Sequence, residues 1–265
     1  MNAENPATTA MVPPVISEAV ILMAGSGTRL RIGGEASHKS LLRIAGRPLI
    51  SYVLAALAHA GIKVVYGVVG YEGDSLISQL ASLVPSQLDL RFVKNPEWQK
   101  QNGISVLAAA SEVRAPFLLT MSDHLFDPAI LDSLLRGSVD DCLNLAIDRK
   151  VGAIFDLDDA MKVETSGDRI VAIGKDLPRY DAIDTGVFIC PPSLFHYLEA
   201  AKQNGDCSLA DGVRAMAREG AARVVDIGAA WWQDIDTPTM LAWAEEHLGR
   251  DLATPRMAAK QRESV

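Results

Sequence analysis

Short runs in which almost every position is apolar alternate, through the first half of the chain, with longer stretches whose apolar positions recur at helical spacing. "EAVILMAG" and "KVVYGVVG" predict two buried strands, "LDLRFVKN" a third and "PFLLTMSD" a fourth. Helices fill the intervals. In "PLISYVLAALAHAG", Ile50, Val53, Leu54 and Leu57 share a face, Pro48 suits the first turn and Gly61 ends the helix. A helix over 74–84, then "GISVLAAASEV" and "DPAILDSLLRG", complete the alternation, which predicts parallel strands with helices on both faces. From about residue 142 the pattern changes. "MKVETSGDRIVAIG" reads as a hairpin with a Ser-Gly-Asp turn, "DTGVFIC" and "ARVVDIG" as strands, and 192–203 and 209–218 as helices. A last helix starts at Thr237-Pro238, a good cap and first position, and stops at Gly249. No linker or low-complexity stretch divides the chain. The expected organisation is one α/β domain over 18–249: a Rossmann-like, mostly parallel sheet with helices on both faces and a β-hairpin in the second half. Flexible tails are expected over 1–17 and 250–265.

Composition narrows the function classes. The 265 residues carry 49% apolar and 22% charged positions, ordinary for a globular enzyme. A formal net charge of −8 argues against general binding to nucleic acid or an anionic membrane. No stretch approaches the roughly 18 apolar residues of a membrane span, and "MNAENPATTAMVPPV" has neither the basic nor the apolar region of a secretion signal. Cys142, Cys190 and Cys207 show no CxxC spacing and read as reduced thiols of a cytoplasmic protein.

The first strand empties into "AGSGTRL", and glycines after a buried strand bring backbone close to something, often a phosphate. A dinucleotide fingerprint would need a third glycine where Leu30 stands, and a Walker-type loop would need GxxxxGK[ST]. Neither fits. What remains is a glycine loop carrying Arg29, with Lys39 in "HKSLL". From Ala19 to Tyr71 the single acid is Glu35, against Arg29, Arg31, Lys39, Arg43, Arg47 and Lys63. In an acidic protein that segment suits a polyphosphate cradle; a tight turn with a solvated basic face is the blander account. Asp123 closes the strand "LLTMSD" at the carboxyl edge, where open α/β sheets bind ligands, and suits magnesium shared with phosphate oxygens. Asp234 and Asp236 in "WWQDIDTPTM" offer a second carboxylate, although Asp236 alone also suits a helix N-terminus. His124 reads as structural, and Trp231 and Trp232 as core.

Together "ILMAGSGTRL", the lysine of "HKSLL", "GRPLI", "SD" and "DIDTP" resemble the signature segments of the nucleotidyltransferases that activate sugar and alcohol phosphates. "MSDH", "IGKDL" and "DTGVF" are most similar to the CTP:inositol-1-phosphate cytidylyltransferase family. Ser122 stands where many such proteins have glycine, and His38 where proline commonly precedes the lysine. The resemblance spans about 18–248. It implies a nucleotide-diphospho-sugar transferase type of fold and transfer of CMP from CTP to inositol-1-phosphate, or a similar alcohol phosphate, with release of pyrophosphate.

The resemblance also implies roles. Ser26, Gly27 and Thr28 with Arg29 would hold the nucleotide's β- and γ-phosphates, Lys39 would sit at the α-phosphate, Asn102, Gly103 and Ser105 would face the base and ribose, and Met23, Ala24, Gly25 and Ser122 would also belong to the nucleotide site. Mg2+ would be held by Asp123 with Asp236 or Asp234. Lys175 would neutralise the acceptor phosphate, and Asp184, Thr185 and Gly186 would bind its hydroxyls. The product would pass to a separate membrane CDP-alcohol transferase, and homodimer formation is left open. The alternatives are transfer to a sugar-1-phosphate or to phosphocholine, or a regulatory nucleotide-binding module without catalysis.

Overall fold

Strands that are apolar on both faces must be covered on both faces, and that requirement sets the layers of this molecule. The computed structural model describes residues 16–27 and 38–253. Thirteen strands and seven α-helices follow in the order β1 (Glu18–Met23), β2 (Arg43–Ile44), β3 (Arg47–Pro48), α1 (Leu49–His59), β4 (Val64–Val69), α2 (Gly73–Leu80), β5 (Asp89–Lys94), α3 (Asn102–Ala108), β6 (Phe117–Met121), β7 (His124–Phe126), α4 (Ala129–Gly137), β8 (Leu143–Asp148), β9 (Lys162–Ser166), β10 (Arg169–Gly174), β11 (Ala182–Cys190), α5 (Ser193–Ala201), α6 (Leu209–Arg218), β12 (Ala222–Asp226), β13 (Trp232–Asp234) and α7 (Pro238–Ala253).

Nine strands form one mixed sheet in the order β5-β4-β1-β6-β11-β8-β12-β10-β9. The first half is parallel, β1 lying between β4 and β6. At β11 the direction reverses, because β11 runs antiparallel to both β6 and β8. The hairpin β9/β10 folds back so that β9 also pairs with the start of β11. Alternation along β1 serves both layers: Val20 and Leu22 face a core with α3, α5 and α6, while Ala19, Ile21 and Met23 face one with α1, α2 and α4.

Two features depart from the expectations in ways that matter for the site. β8 is fully buried along its six residues although the sequence pattern does not mark it, because its apolar run is interrupted by Asn144, whose side chain bonds the Val139 and Cys142 backbone. A ribbon of β7 and β13, too short for a periodic signature, pairs Asp234 with His124, and the Ile235 N–H donates to the Asp123 carbonyl at 3.0 Å. It ties the segment before α7 to the end of β6. Two smaller boundaries also shift. Pro48 caps α1 instead of opening it, and α7 continues past Gly249 to Ala253.

Helix α6 begins with a reciprocal cap: the Ser208 hydroxyl accepts from the Asp211 N–H, and the Asp211 carboxylate accepts from the Ser208 N–H at 2.7 Å. The Leu209 N–H donates to Asn102 Oδ1, joining α6 to the first residue of α3. Ser208→Ala should therefore cost about 1 kcal/mol, a drop of roughly 2–4 °C in Tm for a chain of this size. Thermal melting checks it; an unchanged Tm would mean that the cap carries no stability.

Candidate active site

A cleft of about 410 Å3 opens at the carboxyl ends of β1 and β6. On one side lie Ala24 and Gly25 after β1, with Trp98, Lys100, Asn102 and Ser105. On the other lie Asp156, Asp159 and Met161, with Lys175, Asp184 and Trp232. Between them stand Asp123, His124, Asp234 and Asp236.

The centre is a charge cluster drawn from three distant segments. Lys39 sits in a single 3-10 turn, Lys39–Leu41, held by a hydrogen bond at 3.0 Å from the Ser40 hydroxyl to that of Ser122. Its ammonium donates to Asp123 Oδ2 at 2.6 Å and also to Asp236 Oδ1, and its side chain is only 11% exposed. Burial alone would lower the lysine's pKa; the two carboxylates, Asp123 first, outweigh it and raise the value. Asp123 shows the converse. Burial pushes its pKa up, but the Lys39 charge and the His124 hydrogen bond hold it well below the usual carboxylate range. His124 Nδ1–H donates to the other oxygen, Asp123 Oδ1, at 2.8 Å. Asp123 is thereby fixed at both oxygens.

Gly186 makes room for this histidine. β11 bulges between Asp184 and Phe188, and Gly186 has φ +74°, in the left-handed region. A Cβ there would stand 2.7 Å from the His124 ring. On its other side the ring stacks on Trp232 at 6.0 Å and 15°, and the Trp232 indole N–H donates to the buried Asp148 at 3.0 Å. Gly27, at the end of the described part of the glycine loop, abuts the Lys39 Cβ. The loop and the lysine therefore adjoin.

The expected site residues sort as follows. Ala24, Gly25, Asn102, Ser105, Asp123, Lys175, Asp184, Gly186, Asp234 and Asp236 line the cleft, with Lys39 directly behind its carboxylates. Gly103 lies against the Cys207–Ser208 backbone at its rear. Thr28 and Arg29 lie outside the described residues. Thr185 stands apart from the cleft residues. It is fully buried, its hydroxyl donates to the Ala146 carbonyl at 2.8 Å, and strand alternation turns it away from the face shared by Asp184 and Gly186. Ser122 is likewise buried and braces Ser40 without lining the cleft, and the Met23 side chain belongs to the core. Trp232, expected in the core alone, also forms cleft wall.

Sequence reasoning missed Trp98, Lys100, Asp156, Asp159 and Met161 as cleft residues. They stand on irregular connections and at strand starts, where periodicity carries no signal. Lys175 and Asp159 form an ion pair across the acidic side, both half-exposed.

The comparisons with known proteins bear on the family and the fold. Residues 19–219 match the model of the MobA-like NTP transferase domain. The chain is 36% identical over 230 residues to a bifunctional IPC transferase and DIPP synthase of Rubrobacter xylanophilus, covering 86% of this chain and 51% of that protein. To the protein of the same description from Aquifex aeolicus it is 29% identical over 235 residues, covering 88% and 52%. The chain thus spans about half the length of these curated relatives. Among solved structures, the inositol-1-phosphate CTP transferase from T. maritima superposes with a TM-score of 0.78 at 27% identity, covering 90% of this chain and 97% of that one. A UDP-glucose pyrophosphorylase from Acinetobacter baumannii, at 18% identity and a TM-score of 0.72, shares the fold alone. With the family model matching most of its length, its glycine loop against Lys39 and its carboxylates at the sheet's carboxyl edge, the chain belongs to the MobA-like NTP transferase domain family.

Proposed function

We propose that the protein transfers CMP from CTP to inositol-1-phosphate, giving CDP-inositol and pyrophosphate. The observation that carries the reading is the convergence of Lys39, Asp123 and Asp236 beside the glycine loop, in a cleft with a separate acidic, polyol-compatible wall. The curated relatives and the T. maritima structure support the choice of nucleotide and acceptor.

An oxygen of the acceptor phosphate attacks the α-phosphorus of the nucleotide; a new P–O bond forms as the bond to the β-phosphate oxygen breaks and pyrophosphate departs. The attacking phosphate has a second pKa of about 6, so it is largely a dianion at neutral pH and needs no general base. The obstacle is repulsion between anions, and the remedy is alignment with positive charge. On this reading Ser26, Gly27, Thr28 and Arg29 hold the β- and γ-phosphates, and Lys39 meets the charge that builds at the α-phosphate. Asn102, Gly103 and Ser105 border the nucleoside. Lys175 receives the acceptor phosphate and Asp184 accepts from a polyol hydroxyl.

Among the described residues no group of three or more His, Cys, Asp or Glu could hold a metal ion. Two carboxylates do share one cation, the Lys39 ammonium. A pair of carboxylates completed by phosphate oxygens and water is the set that Mg2+ uses, so Asp123 and Asp236 fit it, with Asp234 beside them. Bound there, Mg2+ would neutralise phosphate charge and align the two reactants. No helix among the described residues is long and apolar enough to cross a membrane. We propose that the domain extends over 18–249, acts in the cytoplasm and hands its product to a membrane CDP-alcohol transferase.

Pyrophosphate release from CTP with a panel of phosphates tests the reading. Turnover with inositol-1-phosphate is expected; turnover with glucose-1-phosphate and UTP, and none with inositol-1-phosphate, would overturn it. Asp123→Asn and Asp236→Asn should each lose on the order of a thousandfold in rate, and Asp234→Asn less. Lys39→Ala should chiefly lower kcat, whereas Lys175→Ala should chiefly raise the acceptor's KM. If both lysine variants weakened only CTP binding, Lys175 would not belong to the acceptor.

Asp184 gives a test that needs no substrate. Burial pushes its pKa up to about 6, only partly countered by the Gly186 N–H, which donates to Oδ1 at 2.7 Å, and by His124. In the unfolded chain an aspartate titrates near 3.9. Between those values the folded protein keeps a proton that the unfolded chain has lost, so stability falls as pH rises through this window. Asp184→Asn keeps the bond from Gly186 and removes the charge. It should be more stable than the parent by about 2 kcal/mol at pH 8, after allowance for partial exposure, with the gap closing between pH 6 and pH 4. Urea midpoints across that range decide; a gap independent of pH would refute the raised pKa.

A further inference from the structure

Lys162 is the buried cation that the mechanism leaves unused. It opens β9 at 8% exposure, in a strand flanked by both β10 and β11. An ammonium has three donors and no acceptor. Here they reach three backbone carbonyls: Lys175 at 2.7 Å, Asp158 at 3.4 Å and Ala160 at 3.5 Å. The Tyr180 ring lies 5.7 Å away on another side. The identities of those carbonyls are informative. Residues 158 and 160 are the two neighbours of Asp159, and the third is Lys175 itself, the residue with which Asp159 forms its ion pair. Asp159, Ala160 and Lys175 all line the cleft.

We propose that Lys162 is a positioning residue for the acceptor wall. From a rigid strand, one buried charge grips the backbone on both sides of Asp159 and at Lys175, which fixes where the exposed ends of that pair stand. The inference rests on the reading of this wall as the acceptor side. A flexible pair of half-exposed side chains would otherwise be a poor template, because exposed ion pairs hold geometry weakly. A charge anchored to main chain supplies order that the pair itself cannot.

Lys162→Met keeps the aliphatic stem and removes the charge and donors; Lys162→Gln keeps a shorter donor group without charge. In either variant the acceptor's KM should rise about tenfold, while the KM for CTP stays within about twofold, since three carbonyls on one wall lose their partner and the nucleotide wall does not. In the Lys175→Ala background the same substitutions should add little, because they act through the same backbone. Without any substrate, amide hydrogen exchange over 156–161 should accelerate about tenfold, with β1 and β4 unaffected. Equal rises in both KM values, full additivity with Lys175→Ala, or unchanged exchange over 156–161 would overturn the proposal. Failure of both variants to fold would overturn it as well, by making Lys162 a support of the whole domain. If the wild-type protein used another phosphorylated acceptor, the inositol reading would fall, and the KM split on that acceptor and the exchange data would still decide for Lys162.

Discussion

Everything in the cleft depends on one buried contact: a lysine ammonium held between two carboxylates that lie 84 and 197 residues away in the chain. Removing these groups from water is costly, and the arrangement persists because each charge is paired. The Lys39 ammonium stays charged because Asp123 and Asp236 face it, and Asp123 stays ionised because Lys39 and His124 do. Loss of Lys39 would leave two carboxylates without their shared cation, so the cluster is both a piece of chemistry and a constraint on the fold. It obliges the loop after β1, the end of β6 and the segment before α7 to meet at one point. The β7/β13 ribbon and the Ser40–Ser122 bond are the devices that bring them there.

The reversal of strand direction at β11 divides the cleft into two walls of different character. Parallel strand β1 delivers backbone and small residues, Ala24 and Gly25, at its carboxyl end, a surface suited to phosphates, which need N–H groups and close approach. The antiparallel half instead delivers side chains. Asp184 and Gly186 from β11, Met161 beside β9 and Lys175 after β10 all reach the same space because the hairpin folds back onto β11. On the proposed reading, such a fold keeps one wall for the nucleotide and the other for the acceptor.

The fold was legible in the sequence where apolar runs were long enough to be unambiguous: β1, β4, β6 and the face of α1 presenting Ile50, Val53, Leu54 and Leu57. The glycine loop, Lys39 and the acidic residues of "MSDH" and "DIDTP" were legible as a combination, since each alone has a plain structural account and only their order along the chain resembles a known family. The ribbon of β7 and β13 was not, since three residues have no measurable period. Thr185 and Asp184 show the finer limit. Both stand in "DTG", and which one faces the cleft is fixed by strand register and by the bulge at Gly186, neither of which a motif records. Asp159 sits on a connection whose carbonyls at 158 and 160 accept from the Lys162 ammonium, and a lone lysine at the start of a strand carries no pattern that singles it out.

A protein of net charge −8 whose cleft is lined by six aspartates and two lysines is an unexpected host for two phosphate anions. On the proposed reading the excess of carboxylate is what makes the site selective. A free triphosphate would meet Asp123, Asp234 and Asp236 and be repelled, whereas a triphosphate that brings its own divalent cation carries less charge and offers the carboxylates a partner. The acceptor has no such escort and relies on Lys175, the lysine on its wall, which Asp159 holds in the free protein. An acceptor phosphate competes with Asp159 for that ammonium, while polyol hydroxyls find carboxylate acceptors such as Asp184 nearby. The wall therefore favours a ligand that carries a phosphate and several hydroxyls together over one that carries the phosphate alone. Positive charge here is scarce and placed, and on the proposed reading that scarcity would let a cleft built largely from acids distinguish a metal-bound nucleotide and a phosphorylated polyol from other anions of the same size.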